Sequence, residues 1–129
     1  MVELYVAKEM ARRGNLDDAI NLARPVVDGY MASRTVIWCA PATAVLVESL
    51  LRRGSEGDLR SARKAIERLV ALPTDPGFVL NEIWLLRLRA LLSRAEGNDA
   101  SYRALRDDYH AMANSLGFQG HIAWSEAMP

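Results

Sequence analysis

One punctuation recurs three times in this chain at nearly equal intervals. Gly14-Asn15-Leu16-Asp17-Asp18-Ala19 aligns with Gly57-Asp58-Leu59-Arg60-Ser61-Ala62 and with Gly97-Asn98-Asp99-Ala100-Ser101-Tyr102, at offsets of 43 and 40 residues. In each copy Gly and then Asn or Asp ends one long run, and a small or aromatic residue follows five positions after the Gly. The runs on either side have helical spacing. Apolar residues fall at Leu16, Ala19, Ile20, Ala23, Val26, Val27 and Tyr30, at Leu59, Ala62, Ile66, Leu69 and Val70, and at Tyr102, Leu105, Tyr109, Met112 and Leu116. Steps of three and four place each set on one face of a helix. No stretch alternates strictly, so no sheet is expected. A two-helix unit repeating about every 40 residues marks an all-α fold, an α-α superhelix of about three helical hairpins. A lone hairpin cannot bury its apolar face, and three stacked hairpins approach the minimum for stability.

The breakers set the expected organisation: a single domain over 1–129, with hairpins at about 2–33, 36–72 and 78–116 and a short capping helix at about 120–128. The first helix runs from about Val2 to Arg13. The third runs from about Ala42 to Arg53, with Trp38 at its beginning. The fifth runs from about Val79 to Glu96, and Pro73-Thr74-Asp75-Pro76-Gly77 separates it from the fourth. Gly past a helix end adopts the left-handed conformation without a Cβ penalty. Asn or Asp at the next helix start can accept from its exposed N–H groups. Pro25 lies inside the second run, where the missing donor and the ring predict a kink or an end near Arg24. Val79–Ala95 is apolar around most of its circumference, which places it centrally among the other helices.

The Gly14-Asn15-Leu16-Asp17-Asp18-Ala19-Ile20 segment resembles the turn and second-helix start of a tetratricopeptide repeat. There the Gly permits the turn and the Ala lets two helices approach closely. Repeats longer than that family's, and Tyr102 in the place of a small residue, resemble its degenerate forms in large signal-transduction ATPases. The final third runs from Ala90-Leu91-Leu92-Ser93-Arg94-Ala95-Glu96-Gly97-Asn98-Asp99 through Tyr109-His110-Ala111-Met112-Ala113 to Ala123-Trp124-Ser125-Glu126-Ala127-Met128-Pro129. It is similar to the C-terminal ends of mycobacterial multidomain regulators, which join a class III nucleotidyl cyclase or LuxR-type domain to an AAA-type ATPase and a helical-repeat tail. The resemblance implies that this chain is such a tail, a non-catalytic interaction or regulatory module. No cyclase or ATPase motif is present to carry over.

Composition narrows the partners. The chain has 16 basic and 16 acidic residues and no net charge, which disfavours direct nucleic-acid binding. The halves differ little in charge, so no long-range steering field is expected. The N-terminus lacks the pattern of a signal peptide, and charges interrupt every apolar run well short of a membrane span of ~20 residues. The expected setting is cytoplasmic and reducing. Cys39, the one cysteine, sits among Val36, Ile37, Trp38 and Ala40 and reads as a small buried hydrophobe.

No residue presents itself as catalytic, cofactor-binding or metal-ligating. Neither Lys8 nor Lys64 lies in a phosphate-binding loop. His110 and His121 are separated by helix-breaking glycines, which speaks against a shared metal. His110 falls on the solvated side of its helix, and His121 begins the last short one. Asp17-Asp18 and Asp107-Asp108 are adjacent carboxylates that cannot converge, and the first pair complements a helix N-terminus. Arg12-Arg13 and Arg52-Arg53 end two helices, where cations suit the dipole, and an anion-binding row is the alternative. Trp84 is expected in the core. Ile122, Trp124 and Met128 are expected to cap the end of the stack. The expected partner is a protein or a neighbouring domain of a parent chain, with no cofactor, nucleic acid or membrane. The alternative is a self-associating unit, a homodimer joined through the exposed apolar end of its stack.

Overall fold

A computed structural model of the chain describes residues 2–73 and 78–128, and all the structured segments among them are helical. The elements are α1 (Val2–Arg12), α2 (Leu16–Ser33), α3 (Val36–Arg53), α4 (Asp58–Val70), α5 (Val79–Ala95), α6 (Asp99–Leu116) and α7 (Gln119–Ala127). The segment Thr74–Gly77, part of the expected breaker before α5, lies outside the described residues. The three aligned glycines take nearly the same left-handed backbone, with φ of 86° at Gly14, 83° at Gly57 and 78° at Gly97. Any other L residue would be strained there.

Two helix bounds are corrected. Helix α2 does not end near Arg24 but continues through Pro25 to Ser33, and α3 begins at Val36 rather than near Ala42 and runs through Pro41. Each proline deletes one hydrogen bond to the residue four back. Those residues, Asn21 and Ile37, are both exposed, so the loss falls on the solvent side of the helix. The capping expectation holds once: Asn98 Oδ1 accepts from the Ser101 N–H at 3.1 Å. Asn15 makes no side-chain cap bond. Asp58 is buried inside its helix, where it accepts from the Ser55 N–H at 2.9 Å and from Arg53.

Consecutive helices pack in pairs, and α3 and α5 each also pack on the helix two before them. Thus α1, α3 and α5 form a contiguous row, with α2 and α4 packed against it from the other side of each hairpin. Alanines fill the closest contacts: Ala7, Ala19, Ala42, Ala62 and Ala90 have no exposed surface. Helix α5 packs on α3, α4 and α6, the central place its apolar circumference calls for. One core cluster spans α1 to α5, and a second joins α5, α6 and α7 through Ile83, Tyr109 and Ala113. Trp84 touches both.

Polar cross-links also join helices far apart in the chain. Arg52 Nη1 donates to the Ala11 carbonyl at 2.7 Å, tying α3 to α1. Arg87 pairs with Glu48 at 2.7 Å, tying α5 to α3, and Arg68 pairs with Asp28 at 2.5 Å, tying α4 to α2. Arg53 reaches Asp17 at 3.0 Å, and Arg63 pairs with Glu96. These partners lie 33 to 41 residues apart in sequence, close to the spacing of the aligned glycines.

Candidate functional site

The row of α1, α3 and α5 leaves one face uncovered by the even-numbered helices, and α7 closes one side of it. Between them lies a groove of about 690 Å³. Its lining follows helical spacing on each wall: Val2, Tyr5, Lys8 and Arg12 on α1; Trp38, Pro41, Val45, Glu48 and Arg52 on α3; Trp84 and Arg87 on α5; Trp124 on α7. All three tryptophans of the chain are on it. The volume is of the size that takes a compact ligand or a few side chains of a partner.

The groove joins the second core cluster through an aromatic corner. Trp84 lies 4.6 Å from His121 and 5.5 Å from Trp124 between ring centres, and His121 lies 5.0 Å from Trp124. The two histidine pairs are edge-on and the tryptophan pair is tilted, and such ring contacts add to simple burial. His121 is buried, and its Nδ1 lies 2.6 Å from the Tyr109 hydroxyl. Burial, and then the positive charge of Arg87, push His121 down to about 4. The ring is therefore neutral near pH 7, and it shares one hydrogen bond with the Tyr109 hydroxyl at Nδ1. Burial likewise raises Tyr109, so the phenol keeps its proton.

Arg87 links this corner to the open groove. Its side chain is 14 % exposed, one nitrogen donates to Glu48, and the guanidinium lies 5.4 Å from the Trp124 ring centre. Its Nε and Nη1 are buried without a hydrogen-bond partner. Lys8 reaches across from α1 to stand 5.7 Å from the same ring. Trp124 is thus flanked by cations from two walls, an arrangement in which the ring face offsets their charge.

Trp84 is not wholly core: it is half-buried and forms part of the groove floor. Helix α7 packs through Ile122 and Met128, while Trp124 faces the groove and is 36 % exposed. The paired arginines divide their work. Arg12 and Arg52 line the groove and Arg13 and Arg53 do not: Arg12 and Arg13 both pair with Glu9, and Arg53 pairs with Asp58 at 2.7 Å and with Asp17. Arg52 satisfies a carbonyl at the end of α1, not one of its own helix. Asp107 pairs with its neighbour Arg106. His110 is exposed and its Nδ1 lies 2.8 Å from the Ser125 hydroxyl, so both histidines tie α6 to α7. Cys39 is buried, and burial pushes its thiol up. Among the described residues no group of three His, Cys, Asp or Glu stands close enough to hold a metal ion, and no helix is long and apolar enough to cross a membrane.

The groove itself was not foreseen from the sequence. The signal for it was a second stripe on α3, at Trp38, Pro41, Val45, Glu48 and Arg52, beside the stripe that enters the core. Periodicity locates such stripes but does not say which one a neighbouring helix will cover. No protein-family model matches this chain, and neither the curated proteins nor the solved structures compared with it give a match.

Proposed function

We propose that the chain is a tetratricopeptide-like helical-repeat module, without catalysis of its own, that holds a protein segment in the groove between α1, α3, α5 and α7. The observation that carries this reading is the gathering of all three tryptophans on one groove built from equivalent helices of successive hairpins. Cross-links at 33 to 41 residues support the repeat arrangement. Stacked repeats ordinarily present such a surface to a partner. In a larger signalling regulator of the cyclase, ATPase or LuxR type, the bound segment would belong to the partner or to a neighbouring domain. Its effect would come from preferring one packing state of the module over another.

The test is selection of random peptides displayed on phage against the immobilised chain, repeated with Trp38→Ala. Enrichment on the natural chain that is lost in a folded Trp38→Ala variant supports the reading. Equal enrichment on both places binding elsewhere and refutes it. A second reading, self-association, is favoured by exposed apolar side chains on α1 and α3: Val2 (73 % exposed), Tyr5 (72 %) and Ile37 (57 %). Light scattering over a concentration series separates the two, since a self-associating unit grows in mass and a strict monomer does not.

A further inference from the structure

We infer that the occupant of the groove is an acidic protein segment, one whose carboxylates alternate with aromatic or large aliphatic side chains. This rests on the reading of the groove as a segment-binding site and gives that segment its chemistry. The ionisable lining is Lys8, Arg12, Arg52 and Arg87 against the single carboxylate Glu48, a surplus of positive charge in a chain with none overall. Folding has therefore collected on one surface what the sequence spreads evenly. Arg87 and Glu48 offset each other's charge, though two nitrogens of Arg87 stay without a hydrogen-bond partner. Arg12 is held by Glu9, while Lys8 and Arg52 have no carboxylate partner among the described residues. Arg52 spends one donor on the Ala11 carbonyl and has others to give.

The charge is polarised along the helices. Arg12 and Arg52 end α1 and α3, and the Arg52–Ala11 bond holds those two ends together, with Lys8 one turn back. Val2 and Tyr5 begin α1, and Trp38 and Pro41 lie in the first two turns of α3. A carboxylate at the basic end would lie beside apolar walls, where opposite charges attract more strongly than in bulk water. The lining of α3 from Trp38 to Arg52 covers about 21 Å at a helix's rise per residue. An extended segment of about six residues spans that length. Tryptophans beside cations would also suit single-stranded nucleic acid. The aliphatic walls of Val2, Leu4, Ala44 and Val45 favour a peptide instead, because they offer bases no stacking surface.

The experiment is the same display selection, read for composition, followed by titration of the enriched peptides into the chain by tryptophan emission. Enriched peptides should carry more Asp and Glu than Lys and Arg, beside Trp, Phe or Leu. Their affinity should fall about tenfold or more in Lys8→Glu or Arg52→Glu, and also in the natural chain between about 0.05 and 0.5 M salt. The salt series needs no variant and so does not depend on how a variant folds. Enriched peptides that are neutral or basic, or affinities indifferent to salt and to both reversals, overturn the inference. Binding of oligothymidylate more tightly than any enriched peptide overturns it too. In the neutral, basic and charge-indifferent cases the groove itself survives if Trp38→Ala still abolishes binding, whereas a selection that enriches nothing defeats the groove reading as well.

Discussion

Acid should loosen this fold before its carboxylates titrate, and His121 is the reason. In the folded chain His121 is held near 4 against an ordinary 6.5, through burial and the charge of Arg87. It is packed against Trp84, Trp124, Phe118 and Tyr109, and the charged group facing it, Arg87, is itself paired with Glu48. The folded state stays neutral there while the unfolded chain takes up a proton. Its contribution is therefore intact above about pH 6.5 and is lost as pH falls toward 4. Comparing the two protonation equilibria gives a loss of about 2 kcal/mol between pH 7.5 and pH 5, growing to about 3 near pH 4. For a chain of this size that is a fall in Tm of roughly 5–10 °C at pH 5. Asp58, held low by its bond to Arg53, contributes stability that is lost only below its ordinary 3.8, outside this window. The assay is urea unfolding at several pH values for the natural chain and for His121→Gln, whose amide can still accept from Tyr109 but does not titrate. The variant should lose the slope between pH 7.5 and 5. An identical slope in both chains would refute the assignment to His121.

Other substitutions test other parts of the packing. Glu48→Ala leaves the largely buried Arg87 without its carboxylate, and should cost about 2–4 kcal/mol and shift tryptophan emission through Trp124; a loss under about 1 kcal/mol would show the pair to be screened by solvent. Ala19→Leu places extra volume where the first hairpin has no exposed surface, and should destabilise by roughly 1–3 kcal/mol in thermal unfolding. Arg34→Gly relieves a left-handed residue at the end of α2, with φ of 53°, and should stabilise by up to about 1 kcal/mol by urea midpoint; a loss of stability would show that the Arg34 side chain matters to the α2–α3 turn.

Most of the helices were legible because their apolar residues recur at three and four and their ends carry Gly. Pro25 does not end its helix because a missing N–H is costly only where its acceptor is buried, and exposure is a tertiary property. Pro25 and Pro41 both lose their bond on the solvent side. The aligned Gly14, Gly57 and Gly97 were readable for a similar reason in reverse, since a left-handed turn constrains the residue type directly. The groove was harder to read. Trp84 looks like core in any hydropathy argument, and nothing in its neighbours tells that one edge faces a cavity. Arg12 and Arg13 are adjacent and chemically identical, and both pair with Glu9, yet helical geometry brings only Arg12 onto the groove. The even spread of charge along the sequence was true and uninformative, because the fold sorts cations by helix face and not by position in the chain.

A segment bound between the odd-numbered helices would lie within reach of groove side chains and out of reach of the outer face of α4. The direct measurement is photo-crosslinking of an enriched peptide to chains carrying benzoylphenylalanine at Tyr5 or Trp38, on the groove, or at Leu59 or Glu67, exposed on α4. Crosslinks are expected from the two groove positions and none from α4. Crosslinks from α4 with none from Tyr5 or Trp38 would contradict binding in the groove.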